Sequence, residues 1–267
     1  MQLFNFFKRK PRKIGIALSG GATHGGAHIG VLQVLEKAGI QPEIIAGTSA
    51  GAIIGAAYAA GVDLEFMSKL FCKVKWPDLL RFSMNRHPSL FDTGPMEDFL
   101  RVNIGDYTFD QLPKPFAAIG CDITTGKRVV LKEGPLALAV RASAAIPGLF
   151  PPVEWKERLL VDGGLVDNLP VEEVREMGAN YIIAVDLTSH GMTDRRPTSA
   201  MEVFIAMINI MQSRSSLPDF ETIDCYIRPE VSRFPAWNFD EARAVEEAGR
   251  VAALEVLPQL KRDLQMR

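Results

Sequence analysis

Three short segments of this chain carry residue types and spacings suited to nucleophilic acyl chemistry. The first is Gly47-Thr48-Ser49-Ala50-Gly51, set between a β-branched run and an apolar helical stretch. A G-x-S-x-G sequence at a strand-to-helix junction is the setting of a nucleophile elbow, where a sharp turn lifts the serine hydroxyl out of the sheet. Little or no side chain fits on either side of such a turn, and the following helix N-terminus favours negative charge. Ser49 is the candidate nucleophile, with Gly47 and Gly51 supporting it.

The second segment, Ser19-Gly20-Gly21-Ala22-Thr23-His24-Gly25-Gly26, lies between the first strand and the first helix. Consecutive backbone N–H groups at a helix start suit an anion. A cofactor pyrophosphate and the oxyanion of a tetrahedral intermediate compete for that role. No stretch matches G-x-G-x-x-G, and the next strand leads straight into Ser49, so an oxyanion hole is the better reading. The plain alternative is a glycine turn for close packing. The third segment is Leu159-Leu160-Val161-Asp162-Gly163-Gly164, an acidic residue ending an apolar strand before two glycines. That is where α/β folds place their sites, although such an aspartate can also simply cap a turn.

These residues need a scaffold, and the chain spells one out. Short strands are expected at 14–18, 44–46, 116–123, 127–131, 158–161, 181–187 and 225–228. Helices are expected at 27–38, 50–60, 136–143, 171–177 and, as a long amphipathic closing element, 239–260. Helix 50–60 is apolar on nearly every side and belongs in a core. Such alternation implies an α/β fold with a largely parallel sheet and helices on both faces. One domain, 14–267, follows a short tail, 1–13. Two stretches interrupt the alternation: 72–115, with Trp76, Leu79 and Leu80, and 188–218, with the Met- and Ile-rich run Met201–Met211. Each reads as the wall or lid of a greasy pocket, as core packing, or as a dimer surface.

Composition excludes several function classes. The net charge of −2 gives no electrostatic case for nucleic acid. The three cysteines, Cys72, Cys121 and Cys225, are odd in number and widely spaced, against a disulfide framework or a zinc site and in favour of a reducing cytoplasm. No apolar run is long enough to span a bilayer. The tail places Leu3, Phe4, Phe6 and Phe7 before Lys8, Arg9, Lys10, Arg12 and Lys13. Residues 3–13 read either as a solvated tail or as an interfacial anchor at the inner face of the membrane.

Taken together, the glycine loop, GTSAG and DGG resemble the patatin-like phospholipase family in order and setting. The likeness extends over the blocks AHIGVLQVLEKAGI (27–40), RASAAIPGLFPPV (141–153) and DGGLVDNLPVEEVREMGANYIIAVDL (162–187). The resemblance implies a three-layer sandwich with a mostly parallel central sheet and a Ser49–Asp162 dyad working without cofactor or metal. It also implies backbone donors at Gly20, Gly21 and Ala22, with His24, Gly25, Gly163 and Gly164 as supporting positions, and lipid acyl esters as substrates. An acyltransferase on the same dyad and a non-catalytic lipid-binding relative are the alternatives. A Ser–His–Asp triad would have to draw on His190, since His28 reads as packing and His87 as surface. The loop departs from the family's G-G-G-x-R-G at two positions, Ala22 and His24. If the loop needs positive φ at residue 22, the extra Cβ costs about 1 kcal/mol.

Overall fold

The computed structural model describes residues 12–83, 89–188, 196, 198–215 and 220–266. The chain opens with β1 (Ile14–Leu18), α1 (Gly26–Lys37), β2 (Ile44–Thr48) and α2 (Ala50–Ala59). An excursion follows through α3 (Leu64–Phe71), α4 (Trp76–Leu79), the hairpin β3 (Arg81–Phe82) and β4 (Phe91–Asp92), and α5 (Gly94–Ile104). The sheet resumes with β5 (Phe116–Asp122), β6 (Lys127–Leu131), α6 (Leu136–Ser143), β7 (Val153–Trp155) and β8 (Arg158–Asp162). The last elements are α7 (Val171–Glu176), β9 (Tyr181–Val185), α8 (Ala200–Ser215), β10 (Cys225–Ile227) and α9 (Ala242–Asp263).

Strands β10, β9, β1, β2 and β5 pair in that order and all run parallel. Alternate residues of each strand face opposite layers. Ile16, Leu18, Ile45, Phe116 and Ile183 point into the larger core, beneath α1, α2, α6 and α9. Ala17, Ala46, Ala117 and Ala184 point the other way, toward Val171 and Val174 of α7. The small residues on that face let a single short helix lie close to the sheet. Two-sided burial explains why the strands read as continuous apolar runs rather than as alternating ones. The result is the expected α/β three-layer arrangement.

Near Ser49 the sheet stops being parallel. β5 pairs with β2 from Phe116 to Ile119 and with β8, antiparallel, from Gly120 to Asp122. β6 occupies the opposite edge of β5, from Ala118 to Asp122. β2 and β8 therefore share one edge of β5 and meet head-on. Thr48 sits opposite Ile119, and Asp162 sits opposite Gly120, one residue further along. The carboxyl end that carries Asp162 thus belongs to an antiparallel strand, which reaches the site from beyond the end of β5.

Some expected boundaries move. The closing helix starts at Ala242, because Phe239 packs its ring against Phe71 and Trp76 instead of joining the helix. The helix then continues through Pro258 to Asp263. Arg12 and Lys13, assigned to the tail, are already seated: Arg12 lies 4.8 Å over the Tyr181 ring and Lys13 N–H donates to Asn180 at 2.7 Å. The aromatic residues of the tail, like His87 and His190, lie outside the described residues. Among the described residues no helix is long and apolar enough to cross a membrane, and the three cysteines are free thiols.

α1 and α9 cross closely. A Cβ on Gly30 would stand 2.0 Å from the Glu246 carbonyl, and one on Gly249 would stand 2.0 Å from that of Ala27. Buried Glu246 sits at the same crossing, bonded to Ser68 and Arg250. Gly249→Ala must push the helices apart and is expected to cost about 1–3 kcal/mol, as overpacked cores do. Urea denaturation checks this, and an unchanged midpoint would refute the crowding.

Candidate active site

The elbow forms because backbone crowds backbone. Ser49 adopts φ 52° and ψ −118°, a conformation that non-glycine residues rarely hold and that costs on the order of 1–3 kcal/mol. A Cβ on Gly47 would lie 2.3 Å from the Gly51 carbonyl oxygen, and one on Gly51 would lie 2.1 Å from that of Leu18. Both flanking positions therefore exclude any side chain. The strained turn is held by Ser143 at the end of α6, whose Oγ accepts from Ser49 N–H at 3.0 Å and donates to the Ile119 carbonyl at 2.5 Å.

Asp162 is 1% exposed. The same end of α6 holds it too, since Asp162 N–H donates to the Ala145 carbonyl at 2.8 Å. Its Oδ1 accepts from Gly164 N–H at 2.8 Å, whereas Oδ2 has no hydrogen-bond partner among the described residues. Burial pushes the Asp162 pKa up to about 6, opposed by the Ser49 hydroxyl and the Gly164 N–H, which favour the ionised form. Ser49 is therefore close enough to influence the carboxylate, although no bond of standard geometry joins them.

The glycine loop is tied down along its length. Ser19 N–H donates to Val185 at 3.1 Å, Thr23 N–H to Ala236 at 3.0 Å, and the Ser19 hydroxyl accepts from Leu187 N–H at 2.8 Å. His28, fully buried, bonds the Ser19 carbonyl at 2.8 Å, and burial lowers its pKa to about 4, so the neutral ring donates through Nε2. His28 is thus a local anchor, as expected. Gly20 N–H is directed at the Asn168 carbonyl at 3.2 Å. The reading of Gly20 as an oxyanion donor gives way, because its hydrogen is already bonded. Gly21 and Ala22 carry N–H groups with no acceptor among the described residues.

Ala22 has φ 49°, so the left-handed conformation is present and is carried by a residue with a Cβ. His24 is buried and bonds the Phe234 carbonyl at 2.8 Å, and burial holds its pKa below the ordinary histidine value. Where the family pattern has a cation, this chain therefore has a neutral peg that fastens the loop to the 234–236 segment. Gly25 brings the loop against the elbow, since a Cβ there would stand 3.0 Å from that of Ala50. Gly163 passes equally close to β5, with the Ile119 carbonyl 2.3 Å from its Cβ position.

A cavity of about 140 Å3 reaches Ser49 and Ala22 and is walled by apolar side chains, among them Ile53, Ala57, Leu70, Trp76, Met96 and Phe150. Residues of the stretch 72–115, from Val74 to Leu79 and from Met96 to Ile104, thus contribute to the pocket wall. Trp76 is fixed there by stacking on Trp237 at 5.3 Å and by an indole N–H bond to the Trp237 carbonyl at 2.9 Å. Asp162 does not line the cavity. The described side chains of α8 do not line it either. The helix instead packs behind the Asp162 turn, where Ser215 bonds the Gly164 carbonyl at 2.6 Å. Met207, Ile210 and Met211 face outward.

Ser143, Asn168 and the 234–236 segment were not singled out from the sequence. The first two lie within the family-like blocks, but a serine in an alanine-rich helix or an asparagine in a turn carries no chemical signature by itself. Among the described residues no cluster of side chains fits a metal ion.

The profile of the patatin-like phospholipase family matches residues 16–175. An uncharacterized NTE family protein of Mycobacterium tuberculosis is 31% identical over 279 residues, covering 94% of this chain and 48% of that protein. Lysophospholipase nte1 of Emericella nidulans is 29% identical over 285 residues, covering 94% of this chain and 18% of the larger protein. The chain thus spans about half the length of the mycobacterial relative and a smaller part of the fungal one. Among solved structures, VipD from Legionella pneumophila superposes with a TM-score of 0.61 at 14% identity, covering 94% of this chain and 67% of that one. At that identity the likeness speaks for the fold alone.

Ala22→Gly removes a Cβ from a left-handed residue worth about 1 kcal/mol of strain. The expected result is a rise of about 2–4 °C in the unfolding midpoint, read by thermal circular dichroism. A fall would mean that the methyl group's packing against the cavity outweighs the backbone strain.

Proposed function

The chain belongs to the patatin-like phospholipase family, and on that footing we propose that it is a serine acyl hydrolase of lipid esters, with Ser49 as nucleophile and Asp162 as base. The observation that carries this reading is the abutment of the two residues, Ser49 at a strained elbow that borders an apolar cavity and Asp162 buried beside that elbow. An acyl chain would occupy the cavity, with its ester carbonyl at Ser49.

In this mechanism Ser49 Oγ attacks the carbonyl carbon while its proton passes to Asp162. The developing oxyanion lies against the N–H groups of Gly21 and Ala22, which donate to no other acceptor among the described residues. Collapse of the tetrahedral intermediate breaks the ester bond, and the departing alkoxide takes the proton from Asp162. Water then attacks the acyl-enzyme with Asp162 again as base, releasing the fatty acid and restoring Ser49. An ordinary aspartate, with a pKa of about 3.9, is a weak base for this work. Burial raises the affinity of Asp162 for protons while leaving it mostly ionised at neutral pH.

Ser49→Ala and Asp162→Asn are each expected to abolish hydrolysis of a short-chain p-nitrophenyl ester, and a fluorophosphonate is expected to label Ser49. Full turnover in either variant would sink the dyad, and absence of labelling would favour a non-catalytic relative. The acid limb of kcat/KM should bend near pH 6. Because the Asp162 pKa is higher in the folded state than in the unfolded chain, its ionisation disfavours folding as pH rises from about 4 through 6. Asp162→Asn should therefore melt above the parent protein at pH 8 and lose that advantage near pH 4.

Chain length offers a separate check. Ala57, on the cavity wall, is 6% exposed. Ala57→Phe fills the space, so kcat/KM for long-chain esters should fall about tenfold or more while short acyl esters are retained, a loss of ~1.4 kcal/mol for the long chains. An unchanged chain-length profile in a folded variant would remove the cavity as the acyl site.

A further inference from the structure

Asn168 is 0% exposed, yet neither Oδ1 nor Nδ2 of its carboxamide has a hydrogen-bond partner among the described residues. Buried amides are nearly always bonded, and an unsatisfied group costs about 1–3 kcal/mol, so a native structure that keeps one calls for a reason. The hydrogen bonds that tie this turn to its neighbours do not use the side chain. What ties the turn to the glycine loop is the Asn168 backbone carbonyl, which accepts from Gly20, and what ties it to the elbow is Thr48 Oγ1, bonded to the Asp167 carbonyl at 2.9 Å. Any residue could supply those carbonyls.

Two glycines make room for the carboxamide. A Cβ on Gly20 would stand 2.4 Å from Asn168 Oδ1 and 3.2 Å from Ser49 Cβ. A Cβ on Gly164 would stand 2.8 Å from Asn168 Oδ1 and 3.0 Å from Asp162 Oδ1. The amide and the carboxylate thus border the same small space, left open by the missing side chain of Gly164. Asp162 Oδ2 is itself buried and unpaired. The groups that act on Asp162 are the Ser49 hydroxyl and the Gly164 N–H. Cys121 of β5, paired with Val161 next to Asp162, is a thiol that burial keeps protonated. Gln212 reaches the same turn from α8 with a neutral amide, its Nε2 2.6 Å from the Cβ position of Gly164.

We propose that Asn168 is a positioning residue for the base, its carboxamide holding the Asp162 carboxyl in place through both charge states of the catalytic cycle. This rests on the hydrolase reading above and adds a third side chain to it. The chemistry selects an amide. When Asp162 is ionised it needs a donor, and an amide offers N–H. When Asp162 has taken the Ser49 proton it needs an acceptor, and the same amide offers a carbonyl oxygen. A hydrocarbon offers neither, and a second carboxylate would repel the first.

The test compares the parent with Asn168→Leu and Asn168→Asp, both close to asparagine in shape, so that one serves if the other fails to fold. Asp162 is titrated by carboxyl 13C NMR, its resonance assigned by its loss in Asp162→Asn. Asn168→Leu removes the amide that the proposal makes a donor to the ionised carboxylate and should raise the Asp162 pKa by about one unit, and Asn168→Asp should raise it further by like-charge repulsion. The acid limb of kcat/KM should move with it, and kcat should fall about tenfold or more with KM changed less than about twofold, a barrier increase of ~1.4 kcal/mol. An Asp162 titration that stays in place in the folded variants overturns the proposal, as does an activity loss that tracks only the unfolded fraction. If the parent hydrolyses no ester and takes no fluorophosphonate, the hydrolase reading fails while the NMR titration still decides the positioning role.

Discussion

Everything at the candidate site depends on two strands ending against each other on one edge of β5. β2 climbs that edge to Thr48 opposite Ile119, and β8 descends it to Asp162 opposite Gly120. A strand edge can bond only one partner at each level, so the arrival of β8 requires that β2 has already turned away. The turn is the elbow. The position of the candidate nucleophile and that of the buried carboxylate are thus one fact of sheet geometry, shared across the 112 residues that lie between them, with β6 filling the other edge of β5.

That junction is held by elements remote from it in sequence. The end of α6 reaches both strands, through Ser143 to the Ser49 N–H and through the Ala145 carbonyl to Asp162 N–H. The turn after Asp162 reaches both the elbow and the glycine loop. The loop in turn is pegged to the 234–236 segment by Thr23 and His24, while Trp237 of the next residues braces the cavity wall through Trp76. Strain at Ser49 and Ala22, and a carboxyl buried with one oxygen unpaired, are sustained because these ties over-determine the local geometry.

The two departures from the family pattern have different physical weight. Ala22 keeps its backbone donor and accepts a left-handed φ, so the change bears on stability more than on the direction of the N–H. His24 changes the electrostatics, because a buried neutral imidazole bonded to a carbonyl cannot act as the fixed cation of the family loop. Any contribution that such a cation makes to charge at the site is missing in this chain.

Much of this was legible in the sequence, for reasons that can be named. Strands buried on both faces read as short apolar runs, and the strand–glycine–helix punctuation around 14–26 and 44–51 located the loop and the elbow. The glycines of GTSAG could be recognised because backbone crowding leaves no alternative residue there. The excursion through α3, α4 and α5 was not legible as structure, since its short helices and its aromatic residues are ordered by packing around the cavity rather than by local periodicity. The start of α9 was misplaced for the same reason, because Phe239 is claimed by Phe71 and Trp76. By itself the sequence determined which residues are candidates for the chemistry, Ser49 and Asp162 among them, because chemistry resides in residue type. Only the tertiary structure decided which N–H groups of the loop remain free, that Asp162 arrives on an antiparallel strand, and that Asn168 stands beside it. Hydrogen-bond partnership and burial are properties of contacts between distant segments, and no single segment encodes them.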